Sequence, residues 1–437
     1  MNQPKSYRSS FILLTTLFFL WGFITVLVDS LIPRLRELFT LTYFQAGLVQ
    51  FAFFGAYFLL SIPASYILSK IGYKKGIILG LLTMATGCLL FYPAASYRVF
   101  GIFMLAYFIL AGGMTILQVA ANPFVAVLGS EGGASSRLNL SQAFNSLGTA
   151  IAPAVGALFI LSDTIKTEDE IAALTETAKD TYLASEASAV QMPFLGLALF
   201  IGLIAVIFLF AKLPKLINET STGTYAEAFK NKNLMLGVLG IFFYVGAEVA
   251  IGSYLVNYFL DMNLVEVIKE NSLMKSIAEG ILYSGLTEND NKAIVGVFVT
   301  FYWSGAMIGR FIGSILTYFI KPGKVLGIFA TIAILLIIIS ISTTGLVSMW
   351  SILAVGLFNS IMFPTIFTLS IDGIGDLKPK GSGLLCMAIV GGALIPPLYG
   401  YLTDQIGFKT ALFFIIICYS YILWFGYKNS KKSTTLN

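Results

Sequence analysis

The chain has 437 residues, of which 57% are hydrophobic and 11% are charged, with a formal net charge of +5. Soluble domains carry about 25% charged residues, so a chain this long and this poor in charge cannot wet the surface of several soluble cores. It must be a multi-pass membrane protein. Histidine is absent, which excludes imidazole metal sites, Ser-His-Asp hydrolases and histidine proton relays. Cys88, Cys386 and Cys418 lie in apolar runs without a CxxC pair, so no metal or redox centre is indicated. Phosphate-cradling glycine loops are missing as well, and no cofactor or nucleic-acid partner is expected.

A helix needs about 20 apolar residues to cross a bilayer. Twelve such runs follow one another, at 11–31, 45–69, 76–95, 100–128, 138–161, 193–211, 234–259, 293–318, 325–342, 349–371, 383–403 and 410–427. The first lacks a small-residue cleavage site and carries Asp29 near its end, so it reads as a retained helix. The expected fold class is an all-α membrane protein of twelve transmembrane helices in two six-helix halves. The halves are 1–211 and 234–437, joined by a polar cytoplasmic linker at 212–233. With the N-terminus inside, most of the 27 basic residues fall on the inner side, Arg310 counted among them. More than half of the 22 acidic residues fall in two outer loops, 162–192 and 260–292. Both termini are thus expected in the cytoplasm.

The halves resemble each other internally. The fourth run reads Gln118-Val-Ala-Ala-Asn122-Pro123-Phe124 and the tenth reads Asn359-Ser-Ile-Met-Phe363-Pro364-Thr365. Prolines at matching places predict paired helix breaks, and repeated halves with interrupted helices point to a transporter with a site at the midplane.

Two loops carry a family signature. Ala64-Ser-Tyr-Ile-Leu68-Ser69-Lys70-Ile-Gly72-Tyr73-Lys74-Lys75 stands after the second run; Gly309-Arg310-Phe-Ile-Gly313, then Lys321-Pro-Gly323-Lys324, stands after the eighth. Both resemble the inner-loop pattern Gly-x-x-x-Asp-Arg-x-Gly-Arg-Arg of the major facilitator superfamily, with Leu68 at the usual acid position. Longer segments are similar to the fucose–galactose–glucose:proton symporter family. They are Leu20-Trp-Gly-Phe-Ile-Thr-Val-Leu-Val-Asp29, Leu117-Gln118 to Phe124, Arg137-Leu-Asn139-Leu-Ser-Gln142-Ala-Phe-Asn145-Ser146, Phe243-Tyr244-Val-Gly-Ala-Glu248 and Phe358-Asn359 to Thr365. Trp21, the valines around Asp29, and Gln118 resemble the glucose/galactose and N-acetylglucosamine members. The resemblance implies the major facilitator fold, alternating access and proton-driven monosaccharide uptake across a bacterial inner membrane.

Only Asp29 and Glu248 place a carboxyl well inside an expected span. A buried carboxyl whose pKa rises on desolvation can take a proton on one side and release it on the other. Asp29 matches the family's proton-titrating aspartate; the alternative is a solvated acid beside Arg34 and Arg36. The second carboxylate of the fucose pattern is here Gln118, which cannot titrate, so Glu248 either shares the proton and the sugar or is a structural acid. Thr25, Gln118, Asn122, Gln142 and Asn145 supply donors and acceptors at helical spacing, and Asn139, Ser146 and Thr149 extend the stripe. Tyr244, Asn257, Trp303, Asn359 and Tyr302 are the candidates from the second half. Bonding between helices is the alternative role for the amides. The expected partners are a hexose, protons (with Na⁺ as the alternative coupling ion) and the lipid bilayer, for a chain acting as a monomer. A sugar sensor and an uncoupled carrier remain the other readings.

Overall fold

The computed structural model describes residues 7–38, 43–160, 173–214, 223–286 and 289–431; side chains at 29–38 and 43–47, among others, lie outside that description. Among the described residues all regular structure is helical. The helices are α1 (Arg8–Leu38), α2 (Tyr43–Ile71), α3 (Tyr73–Tyr97), α4 (Phe100–Val127), α5 (Ala134–Ile160), α6 (Glu176–Phe210), α7 (Tyr225–Lys230), α8 (Lys232–Asp261), α9 (Leu264–Glu270), α10 (Ser272–Leu282), α11 (Asn291–Gly296), α12 (Val299–Phe319), α13 (Pro322–Ser342), α14 (Gly345–Asn359), α15 (Met362–Ile371), α16 (Lys378–Met387), α17 (Gly391–Ile406) and α18 (Phe408–Ser430). Lipid offers no partner to backbone groups, so every apolar run must close its own hydrogen bonds as helix. Eleven helical stretches among the described residues are long and apolar enough to span. The twelfth expected run corresponds to α5, whose far end carries side chains outside the description.

Three expectations change. The first outer loop is shorter than predicted, because α6 starts at Glu176, where Thr175 caps it by accepting from the Ala178 amide at 3.4 Å. The second loop holds the short helices α9 and α10, with Asn271 accepting from the Leu273 and Met274 amides. Their polar faces made them read as loop. The 212–233 segment likewise contains α7, closed by a Thr224–Glu227 capping box.

The chain packs as two compact units: Met1–Gly129, Phe144–Asn231 and Gly373–Met387 form one, and Ser130–Ala143, Lys232–Asp372 and Ala388–Asn437 form the other. In the first unit α3 and α4 approach closely because Gly80 and Gly113 carry no side chain; a methyl at Gly80 would lie 2.8 Å from the Leu117 nitrogen. The Phe91 and Phe194 rings stack at 3.9 Å between α3 and α6. The Tyr225 hydroxyl of α7 donates to the Ile62 carbonyl at 3.0 Å and bonds the Ser65 hydroxyl, fastening α7 to α2. In the second unit the corresponding close approach joins α12 to α14, where a methyl at Gly309 would overlap the Leu357 carbonyl oxygen and the Ser360 hydroxyl.

The paired proline breaks are only half realised. The tenth span breaks at Ser360–Ile361, between α14 and α15, whereas α4 runs on through Pro123. What the two sites share is a freed carbonyl, because a proline lacks the N–H that would bond four residues back. Pro123 frees Val119, whose oxygen accepts from the Ser382 hydroxyl at 2.8 Å within the first unit. Pro364 frees Ser360, whose oxygen accepts from Arg310 Nε at 3.2 Å within the second. Arg310 is therefore not an inner-loop residue as its motif suggested; it lies inside α12. Gly309 and Gly313 serve there as close-packing positions, since a methyl at Gly313 would overlap the Ile361 side chain.

Candidate functional site

In the first unit, Gln118 and Asn122 lie one turn apart on α4 and are buried. Gln118 Oε1 and both amide atoms of Asn122 are sealed from solvent and have no hydrogen-bond partner among the described residues. A buried unpaired polar atom costs about 1–3 kcal/mol, so three of them within one turn are a stored demand for a polar guest. Thr25 stands on α1, its hydroxyl donating to the Trp21 carbonyl at 2.9 Å with Met114 Sδ at 3.8 Å. Asn145 is engaged otherwise: its Nδ2 donates to the Phe18 carbonyl at 2.9 Å, where Gly22 and Gly148 let α1 and α5 touch. Asp29 belongs to α1, but its side chain lies outside the described residues.

The polar stripe of α5 divides between the units. Asn145, Ser146 and Thr149 belong to the first, whereas Asn139 and Gln142 belong to the second. Asn139 Nδ2 donates to the Ser135 carbonyl at 2.9 Å and the Thr365 hydroxyl at 3.2 Å. The Gln142 carbonyl accepts from Arg310 Nη1 at 3.4 Å.

The second unit gathers Glu248, Tyr244, Tyr302 and Asn359 into one polar cluster, and adds Tyr419 and Arg310. Asn359 Nδ2 donates to the Tyr302 hydroxyl at 2.6 Å and the Tyr419 hydroxyl at 3.3 Å, and Tyr302 donates to the Glu248 carbonyl at 3.4 Å. Among the described residues, Asn359 Oδ1 is buried without a hydrogen-bond partner. Arg310 joins the cluster at its edge, its Nε donating at 3.2 Å to the carbonyl of Ser360, the residue after Asn359. Such a cluster can hold a proton, accept hydroxyl groups, or do both.

Two expected residues stand apart from it. Trp303 is 48% exposed, its ring lying over Gly252 rather than beside Asn359. Asn257 sits two and a half turns beyond Glu248, about 13 Å along the α8 axis. It lines a separate cavity of about 460 Å³ with Tyr254, Asp261, Tyr401, Thr403 and Asp404. Sequence reasoning missed Tyr419, which no motif marked, and Arg310, whose motif pointed to a loop.

Residues 9–388 match the family model described as Major Facilitator Superfamily. The chain belongs to the major facilitator superfamily. It is 47% identical over 434 residues to a glucose/galactose transporter of Brucella abortus, covering 99% of this chain and 96% of that protein. The L-fucose-proton symporter of Escherichia coli is 35% identical over 443 residues, covering 99% of this chain and 96% of that one. The crystal structure of FucP in the outward conformation superposes with a TM-score of 0.86 at 34% identity, covering 98% of this chain and all of that chain. Fold and relatives are those of multi-pass membrane transporters of this superfamily, not of enzymes. The twelve-helix, two-half fold class expected from hydropathy is therefore the right one.

Proposed function

We propose that this major facilitator protein imports a hexose of the glucose/galactose type by proton symport across a bacterial inner membrane. The observation that carries the sugar reading is the set of unpartnered amide atoms on Gln118 and Asn122, buried side by side on α4. Pyranose hydroxyls are donors and acceptors at once, so a bound sugar satisfies both kinds of orphan, which an apolar substrate cannot do. The names borne by the relatives, glucose/galactose transporter and L-fucose-proton symporter, support the same substrate class and the same coupling ion.

In this reading Asp29 of α1 takes the proton from outside and releases it to the cytoplasm during alternating access. Gln118 cannot carry charge, so Glu248 is the second acid. It shares the proton or meets the sugar through the cluster with Tyr244, Tyr302 and Asn359. Thr25, Gln142, Asn145, Asn257 and Trp303 complete the proposed contact set, and both termini lie in the cytoplasm. The domain reading of two halves, 1–211 and 234–437, about a linker at 212–233 is kept with it, as is a monomeric working unit.

Asn122→Ala tests the sugar reading. Removing an amide that a sugar bonds twice should weaken binding of labelled D-glucose or D-galactose to the purified protein about tenfold or more, at roughly 1 kcal/mol per hydrogen bond. Unchanged affinity in a variant that still folds would show that these orphans do not meet the sugar.

A further inference from the structure

Four lysines converge where α13 begins and α18 ends. The two helices run antiparallel and touch through glycines. A methyl at Gly323 would lie 2.7 Å from the Gly426 oxygen and the Ser430 nitrogen, and one at Gly426 would lie 2.8 Å from the Gly327 nitrogen. That contact sets Lys321 and Lys324 level with Lys428 and Lys431, each pair spanning about 4.5 Å of helix rise. All four are exposed. The sequence has no Asp or Glu at 311–371 or after Asp404, so neither helix carries an acid of its own to neutralise them. In the first unit the matching helix ends, of α3 and α6, engage their lysine: Lys74 Nζ donates to the Leu209 carbonyl at 2.8 Å.

The lysines end an ordered stripe. Phe413, Ile417, Trp424, Tyr427, Lys428 and Lys431 are all exposed and recur at helical spacing along one face of α18. Along that face apolar side chains give way to Trp and Tyr, and these to ammonium groups. The same order runs through a bilayer leaflet from acyl chain to headgroup. Lys428 Nζ stands 5.1 Å from the Trp424 ring centre, and the Tyr427 ring lies over Gly327, one turn from Lys324. The first turn of α13 has no side-chain cap, so its amides add partial positive charge at the same end.

We propose that this corner of the second unit binds one anionic phospholipid. Its phosphate lies among Lys321, Lys324, Lys428 and Lys431, its glycerol backbone beside Trp424 and Tyr427, and an acyl chain along Ile417 and Phe413. A free phosphate would use the lysines but would find nothing in the aromatic and aliphatic face below them, so the occupant is a lipid. In the topology proposed above this end faces the cytoplasm. Lipid binding is read without reference to sidedness or to sugar transport, so failure of the symport reading leaves it standing.

The test uses full-length protein in phosphatidylcholine nanodiscs, into which phosphatidylglycerol with brominated acyl chains is titrated. Bromine quenches a nearby indole, and the part of the quenching that Trp424→Phe removes reports this site among the four tryptophans. Half-quenching should need about tenfold less brominated phosphatidylglycerol than brominated phosphatidylcholine, because each basic residue near the surface attracts the anionic headgroup. Replacing all four lysines with Gln should erase that preference, whereas Lys292→Gln, at the opposite end of the second unit, should keep it. High salt should weaken it in the wild type, since exposed charges are screened. Equal half-quenching by the two lipids in the wild type overturns the proposal, and so does a preference that survives loss of the lysines. If the fourfold variant does not fold, Lys428→Gln combined with Lys431→Gln decides in its place. Displacement of the lipid by millimolar inorganic phosphate at matched ionic strength would assign the lysines to a soluble anion and overturn the proposal as well.

Discussion

Replacing Glu248 with Gln is expected to reduce proton-driven sugar accumulation at least tenfold while leaving the protein folded. The substitution keeps size and most hydrogen-bonding capacity but cannot ionise, so it separates titration from packing. The backbone carbonyl of Glu248 accepts from the Tyr302 hydroxyl, which Asn359 in turn holds. Glu248 is only half-buried and Arg310 bonds the Ser360 and Gln142 carbonyls, so the fold should tolerate loss of the Glu248 charge. Uptake into proteoliposomes, run beside a melting curve of the purified variant, separates the effects. Full accumulation in Glu248→Gln would make Glu248 a structural acid and leave Asp29 alone to couple.

Gly309→Ala is expected to be among the most damaging single methyls in the second unit. The added carbon would overlap both the Leu357 carbonyl oxygen and the Ser360 hydroxyl, and the backbone of one helix must yield. Overpacking of this kind costs about 1–3 kcal/mol. It also pushes α12 away from the Ser360 carbonyl that Arg310 reaches, so transport should fall along with stability. Gly305→Ala, one turn earlier, is a measured control: its methyl would lie 3.2 Å from the Leu357 nitrogen, tight but not overlapping. Gly55→Ala meets nothing within 4 Å and should be neutral or mildly stabilising. Melting temperatures of the three in detergent should fall in that order, Gly309→Ala lowest. Equal melting for Gly309→Ala and Gly55→Ala would mean that α12 and α14 do not approach as described.

The spans were legible because lipid leaves an apolar run no choice but helix. Arg310 was not, because a window average hides one guanidinium and a Gly-x-x-x-Gly pattern serves a loop signature and a close helix crossing alike. Pro123 and Pro364 were visible as missing N–H groups, but sequence could not name the donors. Ser382 and Arg310 lie far along the chain, and only packing brings them to the freed carbonyls. The amides of α4 were legible as a polar face, and their lack of partners was not. The α5 stripe read as one surface, since helical spacing says which residues share a face but not where the packing changes along it. Asn145 shows the same limit: its spacing matches a binding residue, and its amide instead joins α1 to α5.

The central claim, proton-driven hexose import with Asp29 carrying the proton, is tested most directly by labelled D-glucose uptake into proteoliposomes. The measurement is made with and without an inward proton gradient, for the wild type and Asp29→Asn in parallel, with D-galactose, L-fucose and N-acetylglucosamine as competitors. The account predicts accumulation above equilibrium only with the gradient, competition by galactose, and loss of accumulation in Asp29→Asn. Uptake that merely equilibrates regardless of pH, or that follows a sodium gradient instead, would contradict it.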